Sequence, residues 1–360
     1  MSHQKIALIT GVTGQDGGLL ARFLADKGYA VHGLRRRSTG TDDGQDQIGE
    51  AGLTGRIKLH YGDMTDAASL MRVVGEVRPH ELYNLAAQSH VHVSFEKPGY
   101  TAQVNALGCL NLLEAIRLFK LEERCRFYQA STSELYGDAA ETPQTEHTPF
   151  RPRSPYAISK HFAFQMTAHF REAYGMHASN GILFNHEGKA RGENFVSRKI
   201  TRGAAMWALG ERTPLSLGNL SAKRDWGDAR DYVRGMWQIV QQPKADDYVL
   251  ATGVSRSVRD FVAAAFATTG IGVVWRGAGG QETGHDAKTG ETLVRVDPKF
   301  FRPAEVNTLT GDASKAHAAF GWKPEIAFET MVREMVEADI ARFRAAGFKP
   351  VNVTPLRAQA

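Results

Sequence analysis

The sequence predicts an α/β fold, in which a doubly wound parallel sheet is followed by a smaller C-terminal mixed α/β domain. In the first half of the chain, short β-rich apolar runs alternate with stretches of helical periodicity, the pattern of parallel strands joined by crossover helices. A glycine-rich turn follows the first run and opens the first helical stretch. After about residue 185 the alternation gives way to segments punctuated by Gly and Pro, which favours a second, smaller domain.

The order of the elements follows from these runs. Strands are predicted at Lys5–Thr10, Tyr29–Leu34, Ile57–Tyr61, Glu81–Leu85, Arg126–Ala130 and Ala178–Leu183. Helices are predicted at Gly17–Lys27, Asp66–Val77, Tyr100–Phe119, Pro155–Tyr174, Ser257–Thr268 and Ala327–Ala346. We expect domains at 1–185 and 186–346, with some later segments returning to the sheet, and a tail at 347–360. The polar segment Ser38–Gly55 is expected to form a mobile loop over a ligand or at a subunit contact, or a solvated insertion without a role.

Composition excludes several classes of protein. With 42% hydrophobic and 23% charged residues in 360, the chain is globular and is not disordered, collagen-like or a coiled coil. The net charge is only +5 and the basic residues are scattered, so we expect neither nucleic acid nor a membrane surface as a partner.

The cysteines and the N-terminus predict a cytoplasmic protein. Cys109 and Cys125 are too few for a disulfide framework or a four-thiolate zinc site. The first residues lack the long apolar region of a signal peptide, and no apolar run reaches the roughly 20 residues that span a bilayer.

The glycine-rich turn is the strongest local signal for a ligand. It reads Gly11-Val12-Thr13-Gly14-Gln15-Asp16-Gly17 and lies between the first predicted strand and the first predicted helix. Glycines there allow a tight turn and close approach of the backbone to a pyrophosphate, which rests on the positive end of the helix. The turn therefore predicts a Rossmann-type dinucleotide site, although glycines that serve helix–sheet packing alone would give the same spacing.

The residues after the second strand favour NADP over NAD. Arg35, Arg36 and Ser38 stand where an NAD-selective fold carries an acidic residue, and guanidinium groups there pair with a ribose 2′-phosphate. A solvated basic turn is the alternative. Asp63, after the third strand, is placed to accept a hydrogen bond from the adenine amino group.

A second group of residues predicts acid–base chemistry. Tyr156 and Lys160 lie four residues apart on one face of a predicted helix, so the ammonium can lower the pKa of the phenol. Thr132 and Glu134, at the end of the fifth predicted strand, add a hydroxyl and a second acid–base group. A plain alcohol dehydrogenase does not need that second group.

Together these motifs resemble the extended short-chain dehydrogenase/reductase superfamily, and within it the GDP-mannose 4,6-dehydratases. The most specific segments are 127–137 (Phe-Tyr-Gln-Ala-Ser-Thr-Ser-Glu-Leu-Tyr-Gly) and 217–226 (Leu-Gly-Asn-Leu-Ser-Ala-Lys-Arg-Asp-Trp). The resemblance implies a lyase that converts GDP-D-mannose to GDP-4-keto-6-deoxy-D-mannose and water. Tyr156, with Lys160 and Thr132, would remove the C4 hydroxyl proton during oxidation by NADP⁺. Glu134 would then serve the elimination across C5 and C6, and hydride would return to C6.

The resemblance also implies the residues of each subsite. The catalytic residues would be Thr132, Glu134, Tyr156 and Lys160. The cofactor residues would be Gly11, Thr13, Gly14, Gln15, Asp16, Gly17, Arg35, Arg36, Ser38, Asp63, Met64, Leu85, Ala86, Ala87, Gln88, Ser89, Tyr100, Tyr156, Lys160, His186 and Arg191. The substrate residues would be Ser89, Glu134, Asn185, Lys199, Arg224, Arg302 and Glu305. Asn105 resembles the superfamily's helix asparagine that fixes the geometry of the active site, and no metal is implied.

Two segments depart from the family pattern. The chain has Gly188-Lys189-Ala190 where the family usually has Ser-Pro-Arg, and segment 38–55 lacks the usual Asn-Thr-x-Arg. Both segments help to build the family's tetramer, so a homodimer and a homotetramer both stay open. A GDP-manno-heptose is an alternative substrate, a nucleotide-sugar epimerase or reductase is an alternative enzyme, and an NADP-binding redox sensor is the alternative without catalysis. The later steps of a deoxysugar pathway and feedback regulation do not follow from the sequence.

Overall fold

A computed structural model describes residues 4–37, 47–50, 52–301, 306 and 308–350. The strands are β1 Ile6–Thr10, β2 Ala30–Arg35, β3 Lys58–Tyr61, β4 Glu81–Asn84, β5 Arg126–Thr132, β6 Ala178–Leu183, β7 Asn185–Glu187, β8 Leu215–Leu217, β9 Lys223–Asp228, β10 Tyr248–Leu250, β11 Ser255–Ser257, β12 Val273–Arg276, β13 Thr283–Asp286 and β14 Thr292–Val296. The α-helices are α1 Gln15–Asp26, α2 Gln47–Glu50, α3 Ala67–Val77, α4 Val91–Glu96, α5 Pro98–Ala102, α6 Gly108–Leu118, α7 Pro155–Tyr174, α8 Val196–Ala208, α9 Ala229–Gln241, α10 Val258–Ala267, α11 Ser314–Phe320 and α12 Phe328–Ala345.

The chain folds into two compact units. The first contains the described residues of 1–186, 225–255 and 309–326, and the second contains those of 187–224, 256–308 and 327–360. The first unit thus takes up two later segments of the chain.

A parallel sheet forms the centre of the first unit. Its strand order is β10-β6-β5-β4-β1-β2-β3, and every pairing in it is parallel. The order reverses between β1 and β4, and in such sheets ligands bind outside the carboxyl ends of the strands at that switch point. The predicted doubly wound Rossmann-type fold is therefore confirmed.

Helices cover both faces of this sheet because successive strand residues point to opposite sides. Ala7 and Ile9 of β1 belong to a core that includes residues of α1 and α9. Leu8, between them, belongs to a second core with α3 and α6. A strand that is buried on both faces appears in the sequence as a continuous apolar run, which is why β1 could be predicted from the sequence.

The second unit has its own small sheet and helices. Its four-stranded sheet has the order β12-β13-β14-β8, with antiparallel pairs β12–β13 and β13–β14 and a parallel pair β14–β8. Helices α8, α10 and α12 contact one another. A further three-stranded sheet, with the order β11-β9-β7, is not confined to the second unit, since each of its strands includes residues of the first.

The structure corrects two local predictions. The helix predicted at Tyr100–Phe119 is interrupted by a π-helical turn at Gln103–Leu107, the kind of bulge that often accompanies a functional site. Segment 38–55 is not all loop, because it contains α2, and Ile48 and Leu53 are buried in the core of the first unit. Residues 38–46 and 51 of that segment lie outside the described residues.

No helix among the described residues has the length and apolar character required to cross a membrane.

Candidate active site

The glycine-rich turn is shaped by close backbone contacts. Gly11 has φ +68°, and a Cβ there would lie 2.9 Å from the Ala86 Cα. A Cβ on Gly17 would lie 2.2 Å from the Gly11 carbonyl oxygen. Only glycine fits both positions, so the N-terminus of α1 stays open to a ligand that approaches its backbone amides.

A buried threonine ties this turn to the segment after β4. Thr10 donates its hydroxyl hydrogen to Asn84 Oδ1 (2.8 Å) and accepts hydrogen bonds from the backbone N–H groups of Leu85 and Ala86 (both 3.1 Å). The predicted cofactor segment 85–89 is thereby fixed beside the glycine-rich turn.

Buried polar atoms in these segments fit a bound dinucleotide. Gln15 Oε1 and Gln88 Oε1 are buried and accept no hydrogen bond from the described residues. A buried acceptor without a donor is costly, and the hydroxyl and amide groups of a dinucleotide are donors. Together with the space kept by Gly11 and Gly17, these atoms show that the residues fit such a cofactor.

Residues from three segments meet at the predicted adenosine end. Arg36 Nη1 donates to the Tyr100 hydroxyl (3.1 Å), and Arg35 lies over the ring of Tyr61 (5.8 Å to its centroid). Asp63 Oδ1 accepts from the backbone N–H and the hydroxyl of Thr65. The predicted residue Met64 is buried, and a Cβ on Gly108 would lie 3.0 Å from its carbonyl oxygen. Ser38 lies outside the described residues.

The end of β5 positions the predicted acid–base pair Thr132 and Glu134. Thr132 is the last residue of the strand, and its Oγ1 accepts a hydrogen bond from the backbone N–H of Glu134 (3.2 Å). Glu134 therefore sits in a short 3₁₀ turn, Ser133–Leu135, whose start Thr132 caps. This contact gives Thr132 a positioning role toward Glu134.

The predicted base and its cation lie in the first two turns of α7. Ser154 caps the helix by accepting from the Ala157 N–H, and Pro155 fits the first helical position. Tyr156 and Lys160 are buried, and Lys160 Nζ donates to the Ala130 carbonyl of β5 (2.8 Å). Burial lowers the pKa of Lys160 to about 8, although the nearby Cys109 and Asp16 act to raise it.

Asn105 in the π-helical turn holds α7 against the cofactor segment. Its Nδ2 donates to Ser159 Oγ (3.0 Å) and to the Gln88 carbonyl (3.1 Å), and its Oδ1 accepts from the Gln88 N–H (2.8 Å). All of its hydrogen-bonding groups are thus used to position the site.

Sequence reasoning missed a row of buried polar side chains beneath the site. Thr10, Asn84, Gln129 and Asn180 occupy one register row across β1, β4, β5 and β6. Asn84 Nδ2 donates to Gln129 Oε1 (2.7 Å), and Gln129 Nε2 donates to the same Ala130 carbonyl that Lys160 uses. No motif in the sequence marks this row, because it forms only when the strands pair.

A second missed feature links the glycine-rich turn to His186. His186 Nε2 lies 2.8 Å from Asp16 Oδ2, and its Nδ1 lies 2.8 Å from the Phe184 carbonyl oxygen. Gln15 Nε2 donates to Asp16 Oδ1 (2.9 Å) and to the His186 carbonyl (3.1 Å). These residues are about 170 positions apart in the chain, so local sequence patterns carry no signal for the contact.

Three other predicted residues lie in the second unit. Arg191 pairs with the buried Glu187 (2.7 Å) and lies over the Phe195 ring. Lys199 lies 3.5 Å from the centroid of the Phe300 ring, and burial, with Lys299 nearby, lowers its pKa. Arg224 is buried at the start of β9. Asn185 begins β7 and is partly buried, whereas Arg302 and Glu305 lie outside the described residues.

No group of three His, Cys, Asp or Glu side chains is arranged to hold a metal ion in the part of the chain that the structure describes.

The chain is similar to known proteins over nearly its whole length. The family model for GDP-mannose 4,6 dehydratase matches residues 8–335. A GDP-mannose 4,6-dehydratase of Sinorhizobium fredii is 56% identical over 347 residues, covering 96% of this chain and 99% of that protein. The human GDP-mannose 4,6 dehydratase is 50% identical over 345 residues, covering 95% and 93%.

Among solved structures, the UDP-glucose 4-epimerase of Thermus thermophilus in complex with NAD has a TM-score of 0.76 at 25% identity. The match covers 93% of this chain and 98% of the epimerase. The family match spans most of the chain and includes the two acid–base groups described above. This chain belongs to the GDP-mannose 4,6-dehydratase family.

Proposed function

We propose that this protein removes water from GDP-D-mannose to give GDP-4-keto-6-deoxy-D-mannose, with NADP as its cofactor. The observation that carries the proposal is the attachment of two acid–base groups to one strand end. The backbone N–H of Glu134 donates to the Thr132 hydroxyl at the end of β5. Lys160, four residues after Tyr156 on α7, donates from Nζ to the Ala130 carbonyl of the same strand.

The two groups suit two different proton transfers. Tyr156 takes the proton of the C4 hydroxyl, and the Lys160 ammonium beside it favours the phenolate that must form. Glu134 removes the C5 proton, made acidic by the C4 ketone, and gives a proton to the departing C6 hydroxyl. When bound, NADP would supply the hydride acceptor for C4 and the hydride donor for C6. A proton delivered to C5 as C6 receives the hydride completes the product, so the reaction has no net redox change.

NADP is favoured by charge. Arg35 is the last residue of β2 and Arg36 follows it, and Arg36 is oriented by its hydrogen bond from Nη1 to the Tyr100 hydroxyl. Two guanidinium groups at this place suit a 2′-phosphate, whereas an acidic residue there would suit the free ribose hydroxyl of NAD.

For the GDP part we propose contacts from Asn185, Lys199, Arg224, Arg302 and Glu305. Guanidinium and ammonium groups suit the diphosphate, and a carboxylate suits the N1 and N2 donors of guanine. The assignment of Arg191 and His186 to the cofactor is likewise a proposal.

Mass spectrometry tests the substrate. Purified protein is incubated with GDP-mannose, with and without added NADP⁺, and in parallel with a GDP-manno-heptose. Loss of one water from GDP-mannose without accumulation of NADPH is the expected result. Loss of water from the heptose alone would make the heptose the substrate and leave the proposed reaction unchanged. Binding of NADPH without turnover of either sugar would favour a redox sensor.

We also propose that the protein is a cytoplasmic homodimer or homotetramer. Both cysteines are buried free thiols, as suits a reducing compartment. In the first unit, Ile158 and Phe162 are large apolar side chains exposed four residues apart on α7, and Leu107 is exposed as well. Such residues favour a subunit contact. Light scattering should give a multiple of the 39.5 kDa chain mass, and a monomeric mass would contradict this proposal.

A further inference from the structure

The N-terminus of α1 carries a negative charge where a negatively charged ligand is expected. Asp16 is the second residue of the helix, and its carboxylate is favoured there by the helix dipole. The same dipole is what attracts a pyrophosphate to such a turn. An ionised Asp16 therefore competes with the anion unless another group neutralises it.

His186 has the geometry of that neutralising group. A backbone carbonyl oxygen is only an acceptor, so the Nδ1 that lies 2.8 Å from the Phe184 oxygen carries a hydrogen. An ionised carboxylate is also only an acceptor, so the Nε2 that lies 2.8 Å from Asp16 Oδ2 carries the other. An imidazole with hydrogens on both nitrogens is positively charged.

The surroundings hold both partners in place. The His186 ring stacks on the ring of Tyr232 from α9, with centroids 4.7 Å apart and planes inclined by 17°. The Asp16 carboxylate accepts a second hydrogen bond from Gln15 through Oδ1, which favours its ionised form. Both side chains are mostly covered, with exposed fractions of 11% for His186 and 24% for Asp16.

Other titratable groups also face this pair. Lys160 from α7 and Tyr128 from β5 both interact electrostatically with Asp16. Burial, with Asp16 adding to it, raises the pKa of Tyr128 well above its ordinary value, so this phenol stays neutral. Lys160 Nζ donates a hydrogen bond to the Ala130 carbonyl. His186 is a cation that contacts Asp16 directly, at 2.8 Å.

We propose that His186 is a positioning residue that, as an imidazolium, neutralises Asp16 and so keeps the N-terminus of α1 able to bind the cofactor pyrophosphate. This inference rests on the proposed binding of NADP. It goes beyond that proposal because it assigns a charge state and a role to the His186–Asp16 pair. Loss of the imidazolium charge leaves an unbalanced carboxylate beside the anion.

The test is a double-mutant cycle read by binding. His186→Gln keeps a donor for Asp16 and removes the charge, and it should raise the Kd of NADP⁺ about tenfold, which corresponds to one charge interaction of about 1.4 kcal/mol. In an Asp16→Asn background the same replacement should change the Kd by less than about twofold. An equal loss in both backgrounds would show a merely structural role for His186 and would overturn the proposal.

Two further measurements separate the possible failures. Adenosine 2′-monophosphate lacks the pyrophosphate, so its Kd should be the same in His186→Gln and in the unaltered protein; a parallel loss would contradict the proposal. Ring ¹⁵N chemical shifts, assigned by their absence from the His186→Gln spectrum, should be those of an imidazolium, and those of a neutral tautomer would overturn the inference. If the unaltered protein does not bind NADP⁺, the proposed function fails, and the ¹⁵N spectrum still decides the charge of His186.

Discussion

Glu134 is the residue that separates dehydration from simple oxidation. Its backbone N–H donates to the Thr132 hydroxyl at the end of β5. Because oxidation at C4 is assigned to Tyr156 and Lys160, replacement of Glu134 should leave that step in place. We expect Glu134→Gln to lower the rate of water loss by about a hundredfold or more, the usual contribution of a general acid–base group.

Cofactor binding and turnover are measured separately for Glu134→Gln. Titration should give an unchanged Kd for NADP⁺, and a single turnover with GDP-mannose should accumulate reduced nicotinamide. Near-normal formation of the dehydrated product would contradict the role assigned to Glu134.

Deprotonation of Lys160 should lower the activity at alkaline pH. Its pKa is lowered to about 8 by burial, and only its protonated form favours the Tyr156 phenolate. As the pH rises through about 8 the ammonium is lost, so kcat/KM of the free enzyme should fall with that apparent pKa.

The matched control is Lys160→Arg, whose guanidinium stays protonated over this range. This variant should be slower and should lose the alkaline decrease. A decrease at the same pH in both proteins would assign it to another group.

At the scale of elements, α8 and α12 of the second unit are joined by a buried ion pair. Arg198 donates to both carboxylate oxygens of Asp339, and its Nη1 donates to the carbonyls of Lys189 and Arg191. The segment that departs from the family pattern, 188–190, is thus held by the side chain of Arg198. Burial raises the pKa of Asp339 and lowers that of Arg198, so desolvation outweighs their attraction for each other.

This balance predicts the stability of variants of the pair. Asp339→Ala leaves a buried guanidinium without its partner and should lower the free energy of unfolding by about 3 kcal/mol or more. The double variant Arg198→Met with Asp339→Leu should be more stable than Asp339→Ala in urea denaturation. If the double variant is the less stable of the two, the buried guanidinium without its partner is not the source of the loss, and this reasoning is wrong.

The elements also show how far the sequence could be interpreted. Strands such as β1, β4 and β6 were predictable because they are buried on both faces and read as apolar runs. The edge strand β3 is exposed except at His60, and its prediction depended on its β-rich composition. The strand β10 was missed, since Tyr248–Leu250 has only three residues and joins the sheet from a distant part of the chain. The π-helical turn was missed because Asn105 fits an ordinary helical pattern until its contacts with Gln88 and Ser159 are seen.

The candidate site divides in the same way. The glycine-rich turn, Thr132, Glu134, Tyr156 and Lys160 stand in local motifs whose chemistry can be interpreted without a structure. The Asn84–Gln129 hydrogen bond and the His186–Asp16 pair join distant segments and have no local pattern. The roles assigned to the site residues stay predictions, as does the boundary between the cofactor and substrate domains, and Arg302, Glu305 and Ser38 lie outside the described residues.

For the molecule as a whole, the central claim is a dehydration in which the hydride leaves C4 and returns to C6 of the same sugar. The most direct measurement uses GDP-mannose that carries deuterium at C4. After turnover with unlabelled NADP⁺, the product should have lost one water and should carry the deuterium at C6, as seen by mass spectrometry and NMR. A dehydrated product without deuterium, or deuterium that leaves in the nicotinamide, would contradict the account.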